Sequence, residues 1–97
     1  MITTKQRAYL RSLANGVDAL YQIGKSGLSQ NLLTTLSDAL EARELIKITV
    51  LEACPYTPKE LMPQLCELLG CEPVQVIGRR LSVYRPSKEE PRIVLPR

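Results

Sequence analysis

The residues best placed to do chemistry lie between positions 20 and 28, Leu20-Tyr21-Gln22-Ile23-Gly24-Lys25-Ser26-Gly27-Leu28. An apolar run ends in Gly24-Lys25-Ser26-Gly27, and a helix-start signal follows at Ser29. Glycines let a backbone turn tightly and approach a ligand closely. Lys25 adds a cation, and the first N–H groups of the next helix point back toward the loop. Together these parts suit a phosphate.

Three readings of this loop compete. Gly24-Lys25-Ser26 matches the end of a nucleotide-binding G-x-x-x-x-G-K-[ST] loop, but the first glycine should stand at position 19, where the chain has Ala19. A plain tight turn between a strand and a helix explains both glycines without a ligand. A G-x-x-G clamp on a nucleic-acid backbone explains the glycines, Lys25 and the helix start together. The context is not that of a KH domain, whose G-x-x-G joins two helices, because here the loop joins a strand to a helix.

A second candidate for phosphate contact is Gly78-Arg79-Arg80, which places two arginines at a hairpin turn, with Arg85 at the end of the next strand. The planar guanidinium fork matches phosphate geometry; a solubilising hairpin tip is the plain alternative. Aromatic stacking has little support, since the aromatics are Tyr9, Tyr21, Tyr56 and Tyr84, and Tyr9 and Tyr21 read as core. Catalysis has less. Histidine is absent, which removes Ser-His and Cys-His pairs. Glu41 and Glu44 read as surface residues at a helix end, and Glu89-Glu90 as solvated. Cys54, Cys66 and Cys71 form no C-x-x-C pair, so no metal site is expected, and Cys66 fits an apolar helix face in a reducing compartment.

Charge is unevenly placed along the 97 residues, whose net charge is +3. Residues 1–35 hold Lys5, Arg7, Arg11 and Lys25 against Asp18, and the middle of the chain is acidic. Residues 75–97 hold Arg79, Arg80, Arg85, Lys88, Arg92 and Arg97 against Glu89 and Glu90. A fold that joins the two ends would create a cationic face. No apolar stretch is long enough to span a membrane, and the start lacks a signal-peptide block; a cytoplasmic location is the expectation.

The elements that must position these groups follow from pattern. Thr3 and Gln6 form a capping box before the stripe Tyr9, Leu10, Leu13, Ala14, and Gly16 ends that helix. Val17, Ala19, Tyr21 and Ile23 alternate as a strand. Ser29 caps a helix with Leu32, Leu33, Leu36, Ala39 and Leu40 on one face. Residues 45–50 make a second strand, with Ile46, Ile48 and Val50 opposite Lys47 and Thr49. Thr57-Pro58-Lys59-Glu60 starts a third helix, in which Leu61, Met62, Leu65, Leu68 and Leu69 face the core and Pro63 is expected to distort the first turn. Two short β-rich runs over residues 74–77 and 81–85 form a hairpin. The tail, residues 86–97, is expected to be extended, with Ile93, Val94 and Leu95 available as a further strand. The prediction is one domain over residues 1–97: an α/β (α+β two-layer) fold in the order α-β-α-β-α-β-β, with a mixed four-stranded sheet and helices mainly on one face.

Thr4-Lys5-Gln6-Arg7 with Leu10-Arg11, Ile23 to Leu28, Ala39-Leu40-Glu41, Glu44 to Lys47, Val74 to Gly78, Tyr84 to Ser87 and the ending Leu95-Pro96-Arg97 resemble the bacterial YhbY-like proteins. These are stand-alone members of the CRM group of RNA-binding domains. The resemblance implies a fold similar to the C-terminal domain of translation initiation factor three with an added N-terminal helix. It also implies RNA binding through Gly24 to Gly27 and a neighbouring basic surface, and association with precursors of the large ribosomal subunit. The expected contacts are Gly24, Lys25, Ser26, Gly27, Arg79, Arg80 and Arg85, with Lys5, Arg7 and Arg11 in second rank. The expected partner is RNA, ribosomal RNA in pre-large-subunit particles; no cofactor, metal, membrane or small-molecule substrate is expected, and no enzymatic activity. The alternative is a protein-interaction adaptor on the ribosome that makes no direct RNA contact.

Overall fold

Local sequence accounts for most elements of the computed structural model, which describes residues 2–97. Helix α1 (Thr4–Ala14) starts at Thr3, whose hydroxyl accepts the Gln6 N–H while the Gln6 side chain accepts the Thr3 N–H. Strand β1 (Tyr21–Ile23) is followed by α2 (Gln30–Arg43), capped by Ser29, whose Oγ accepts the Leu32 N–H at 3.2 Å. Strand β2 (Leu45–Val50) leads to α3 (Pro58–Leu69), where Thr57 and Glu60 form a second capping box. Strands β3 (Glu72–Ile77) and β4 (Arg80–Tyr84) are joined by the two-residue turn Gly78-Arg79. Gly78 has a φ of 59°, the left-handed value required at the first position of such a turn.

The sheet order is β1-β2-β4-β3. β1 runs parallel to β2, pairing Ile23 with Val50, and the remaining pairs are antiparallel. Alternation gives the sheet two unlike faces. On one face Ile46, Ile48, Val50, Leu81 and Val83 pack with Leu36, Leu40, Leu61 and Leu65 of α2 and α3. On the other, α1 lays Leu10 and Ala14 over Leu45, Val74 and Tyr84 only. Two of the three helices thus share a face, and α1 adds a partial layer opposite them.

Several details depart from the sequence reading. Residues 17–20 are outside the sheet, because Val17 packs into the α1 cluster and the Leu20 N–H folds back onto the Asp18 carbonyl at 3.0 Å. Helix α3 runs through Pro63, in keeping with the sequence reading, and Pro63 is exposed together with Lys59, so water can satisfy the carbonyl that loses its N–H partner. Leu68 is 58% exposed and Tyr9 38% exposed, rather than core. On α3 the buried stripe of Leu61, Leu65 and Leu69 is complete without Leu68, and on α1 Leu10 and Ala14 fill the contact with the sheet.

The largest departure is Glu44, a surface residue in the sequence reading and fully buried in the structure. A single residue connects α2 to β2, and Glu44 makes that reversal with a φ of 66°, unusual for a non-glycine residue. Its carboxylate accepts N–H bonds from Ser87 at 2.8 Å, Arg92 at 2.6 Å and Ile93 at 2.8 Å. Glu41 accepts from the Ser87 hydroxyl and from the Lys88 N–H at 3.0 Å. Two carboxylates thereby hold the tail, which has no strand pairing and instead docks Ile93 and Leu95 against the α1 cluster.

Burial opposes ionisation of Glu44, but the three backbone donors outweigh it and hold the carboxyl below the ordinary glutamate value. A carboxylate with a lowered folded-state pKa contributes stability that is fully present above its unfolded value and is lost as pH falls through the folded one. Glu44→Gln is therefore expected to cost about 2 kcal/mol at pH 7 in urea denaturation. It should also flatten the loss of stability below about pH 4.3; a variant that tracks the parent protein's acid limb would exclude Glu44 as a contributor to it.

Candidate nucleic-acid interface

The loop is built on the end of the β1–β2 ladder. Past the Ile23–Val50 pair, the Leu51 N–H donates to the Ile23 carbonyl at 2.8 Å. The Gly27 N–H then donates to the Gly24 carbonyl at 2.9 Å and closes a four-residue turn. Lys25 and Ser26 occupy its two central positions, and both are exposed. Gly27 is buried, with a φ of 62°. Ser29 begins α2 two residues later, so the positive end of that helix lies close behind the turn.

The two glycines are not equivalent. Gly27 sits in a backbone conformation that side chains disfavour. Gly24 has no such conformation, and a Cβ there would meet the nearest atom, Leu51 Cδ1, at an ordinary 3.5 Å. The fold needs glycine at 27 and would accept alanine at 24. A glycine the fold does not need leaves the backbone open to something outside the protein.

The hairpin tip reaches the same end of the sheet. Arg79 donates through Nε to the Val50 carbonyl at 2.8 Å and through Nη2 to the Leu51 carbonyl at 2.7 Å. In return, the Arg79 carbonyl accepts the Val50 N–H at 2.7 Å. Arg79 is thus pinned at the base of the loop, beside the residue whose side chain lies next to Gly24. Arg80 pairs with Thr49 and Ile77, is exposed, and stands with Lys47, Thr49 and Gln75 around a cleft of about 460 Å³.

The other expected residues are not brought to the loop. Arg85 begins at the opposite end of β4 and turns its fork inward. Nη1 bonds the Leu69 carbonyl at 2.9 Å, Nη2 bonds the Ser37 carbonyl at 2.8 Å, and both touch Ser37 Oγ. Its Nε is buried without a partner. Arg85 ties α2 to the carbonyl end of α3, a favourable site for a cation, so the expectation of an outward phosphate contact is corrected. Arg7 donates to the Pro73 carbonyl at 3.1 Å, and Lys5 to the Arg97 carbonyl at 3.1 Å. Pro73 pairs with Val83, three residues along β4 from Arg80, about 10 Å of strand away. Arg11 is exposed on the last turn of α1.

Two residues near the loop escaped the sequence reading. Tyr56, 46% exposed, brings its ring to 3.7 Å from the position a Gly27 Cβ would take. Its signal was an aromatic residue directly before the Thr57 cap, where a connection must be solvated. Lys47 lies on the half of the sheet that α1 leaves open, as its alternation with Ile46 and Ile48 already implied. Among the described residues the one side-chain ion pair is Arg92–Glu90, at 3.6 Å. Lys25, Lys47 and Arg80 therefore carry charge that no carboxylate of the protein neutralises.

The family model for the CRS1 / YhbY (CRM) domain matches residues 2–85. The chain belongs to the CRM family. It is similar to "Probable RNA-binding protein YqeI" of Bacillus subtilis, with 38% identity over 99% of this chain and all of the relative. An "RNA-binding protein" of Haemophilus influenzae is 35% identical over 99% of this chain and 96% of its own length. The solution structure of the Staphylococcus aureus protein SAV1595, described as an RNA-binding candidate, superposes with a TM-score of 0.83 at 48% identity. That match covers 99% of this chain and 100% of the other. The CRM fold here has the α-β-α-β-α-β-β order expected from sequence.

The asymmetry of the glycines is open to measurement. Gly27→Ala is expected to lose about 1–2 kcal/mol of stability, the cost of a side chain in the left-handed region. Gly24→Ala is expected to stay within about 0.5 kcal/mol of the parent protein in the same denaturation experiment.

Proposed function

We propose that this CRM protein binds RNA through its phosphate backbone, without catalysis. The observation that carries the reading is the exposed turn at Lys25 and Ser26, entered through a glycine the fold does not require, with Arg79 pinned at its base and Arg80 on the adjoining sheet face. Close backbone approach lets amides meet phosphate oxygens, and Lys25 and Arg80 neutralise charge. Relatives named as RNA-binding proteins support the choice of nucleic acid. The finer reading, ribosomal RNA in precursors of the large ribosomal subunit, rests on the likeness to the YhbY-like proteins and makes this a ribosome assembly factor. Tyr56 adds an aromatic face beside the loop on which a base can stack, a contact worth about 1–3 kcal/mol when removed.

Binding of this kind is salt-dependent, since each neutralised phosphate releases counterions. Fluorescence anisotropy with unpaired RNA is expected to give a log–log slope of about −0.7 per phosphate contacted. Lys25→Glu combined with Arg80→Glu should lower affinity at least tenfold and make the slope shallower, with the melting temperature unchanged. Gly24→Ala should weaken binding without unfolding the chain. Crosslinking to RNA in cells, followed by sequencing, is expected to recover large-subunit ribosomal RNA. Salt-independent affinity, or binding undisturbed by the double charge reversal, would refute the proposed contact.

A further inference from the structure

The α1 side of the sheet is only half covered. Leu45, Val74 and Tyr84 lie under α1, but the two residue rows nearer the loop stay open. Gln22, Thr49, Arg80 and Ile77 form one row across the four strands, and Lys47, Ser82 and Gln75 form the next. Ser82 is buried between two long side chains, and a cleft of about 460 Å³ opens along Lys47, Thr49, Gln75, Ile77 and Arg80, reaching Arg79. A second cleft of about 420 Å³ lies on the β1 side, and Lys47 lines both. Lys47 stands between the two hollows, one toward the hairpin tip and the other toward the β1 edge. Asp18 is the one carboxylate residue lining either of them.

This strip differs chemically from the loop. The loop offers backbone amides and a lysine, which hold phosphates and carry no sequence information. The strip offers Gln22, Gln75 and Thr49, side chains that both donate and accept hydrogen bonds as base edges do. Ile77, 61% exposed, supplies an apolar ledge for a base face. Lys47 and Arg80 flank these groups with positive charge. Two residue rows are about 7 Å deep along the strands, too shallow to seat a duplex, whose distinctive major-groove base edges lie in a deep, narrow groove in the A-form. Unpaired nucleotides can lie flat on such a strip.

We propose that this open half of the sheet reads the bases of unpaired RNA whose backbone the Gly24–Gly27 turn holds, with Gln75 and Thr49 as the specificity-determining residues. The inference rests on the phosphate-binding reading of the loop. It makes the CRM domain here a two-part reader, with the turn for position and the sheet for sequence.

The test is selection of binding sequences from a randomised unpaired RNA pool by the full chain. The parent protein is expected to enrich a short motif, preferring it roughly 5- to 100-fold over single-base changes. Gln75→Ala with Thr49→Ala should flatten that preference while leaving the salt slope and melting temperature in place. Gln75→Glu, which exchanges donors for an acceptor, should change the base selected. Unchanged enrichment in both variants, absence of any motif in the parent protein, or equal competition by duplex RNA would each overturn the inference. Lys25→Glu separates the two readings. If it lowers affinity for every RNA while the sheet variants change nothing, the loop reading survives and the sheet reading falls. If it leaves binding intact, the loop reading fails and the sheet inference fails with it.

Discussion

The Arg79 clamp on the end of β2 is the contact on which the arrangement of the loop end depends. β2 is the strand that pairs with both β1 and β4, and Val50 and Leu51 lie where it leaves the sheet. Two carbonyl oxygens there accept one guanidinium fork at 2.8 and 2.7 Å. Bidentate geometry restricts the arginine to a single orientation. It also fixes the hairpin tip against the segment that touches Gly24, so turns 54 residues apart in the chain share one surface. Without that fork the β3–β4 turn would keep only the Val50 N–H to Arg79 carbonyl bond to β2, and the arginine side chain would be free to take other orientations.

The opposite end of the sheet is built from the same residue types and does different work. There Glu44 takes a strained backbone conformation and a buried charge, both unfavourable taken alone. Three N–H donors from the tail offset them. Arg85 bridges α2 and α3 through carbonyls, and Arg7 and Lys5 bond carbonyls of β3 and the tail. Arg85, Arg7 and Lys5 therefore serve the fold, whereas among the described residues the side chains of Lys25, Lys47 and Arg80 bond neither carbonyl nor carboxylate. The net charge of +3 says little by itself. What matters is which cations are already engaged and at which end they lie.

Sequence made the scaffold readable wherever the cause was local. The capping boxes at Thr3 and Thr57, the Ser29 cap and the alternation in β2 all operate within four residues. The turn at 24–27 and the Gly78 hairpin were readable for the same reason. What stayed hidden depended on distant partners. Arg85 carries the same side chain as Arg80, but it follows Leu81 and Val83 on the α2–α3 side of the sheet, where the carbonyls of Ser37 and Leu69 hold it inward. Glu44 resembles a helix-end surface glutamate until the tail, more than 40 residues later, supplies its donors. One local signal existed: a single residue between a helix and a strand must reverse the chain, and no glycine was there to do it. Of the cations expected from the two termini, Arg79 is held on the segment that touches Gly24, whereas those of α1 lie away from the loop because α1 crosses the far end of the sheet.

The division between the two glycines of the loop bears on how such a site is built. Gly27 can be explained wholly by folding, since its positive φ lets the chain leave the turn and enter α2. Had both glycines been of that kind, the motif would carry no functional information, and the plain-turn reading would suffice. Gly24 breaks the symmetry: the space around it admits a methyl group, so protein packing gives no reason for its bareness. The same reasoning applies to the sheet. Four short strands could bury a second apolar face under a longer α1, yet the rows beyond Leu45 and Tyr84 carry Gln75, Lys47, Thr49 and Arg80. A bare backbone position and an uncovered polar sheet face at the same end of one domain have a common explanation in a polar, anionic partner, which neither feature requires alone.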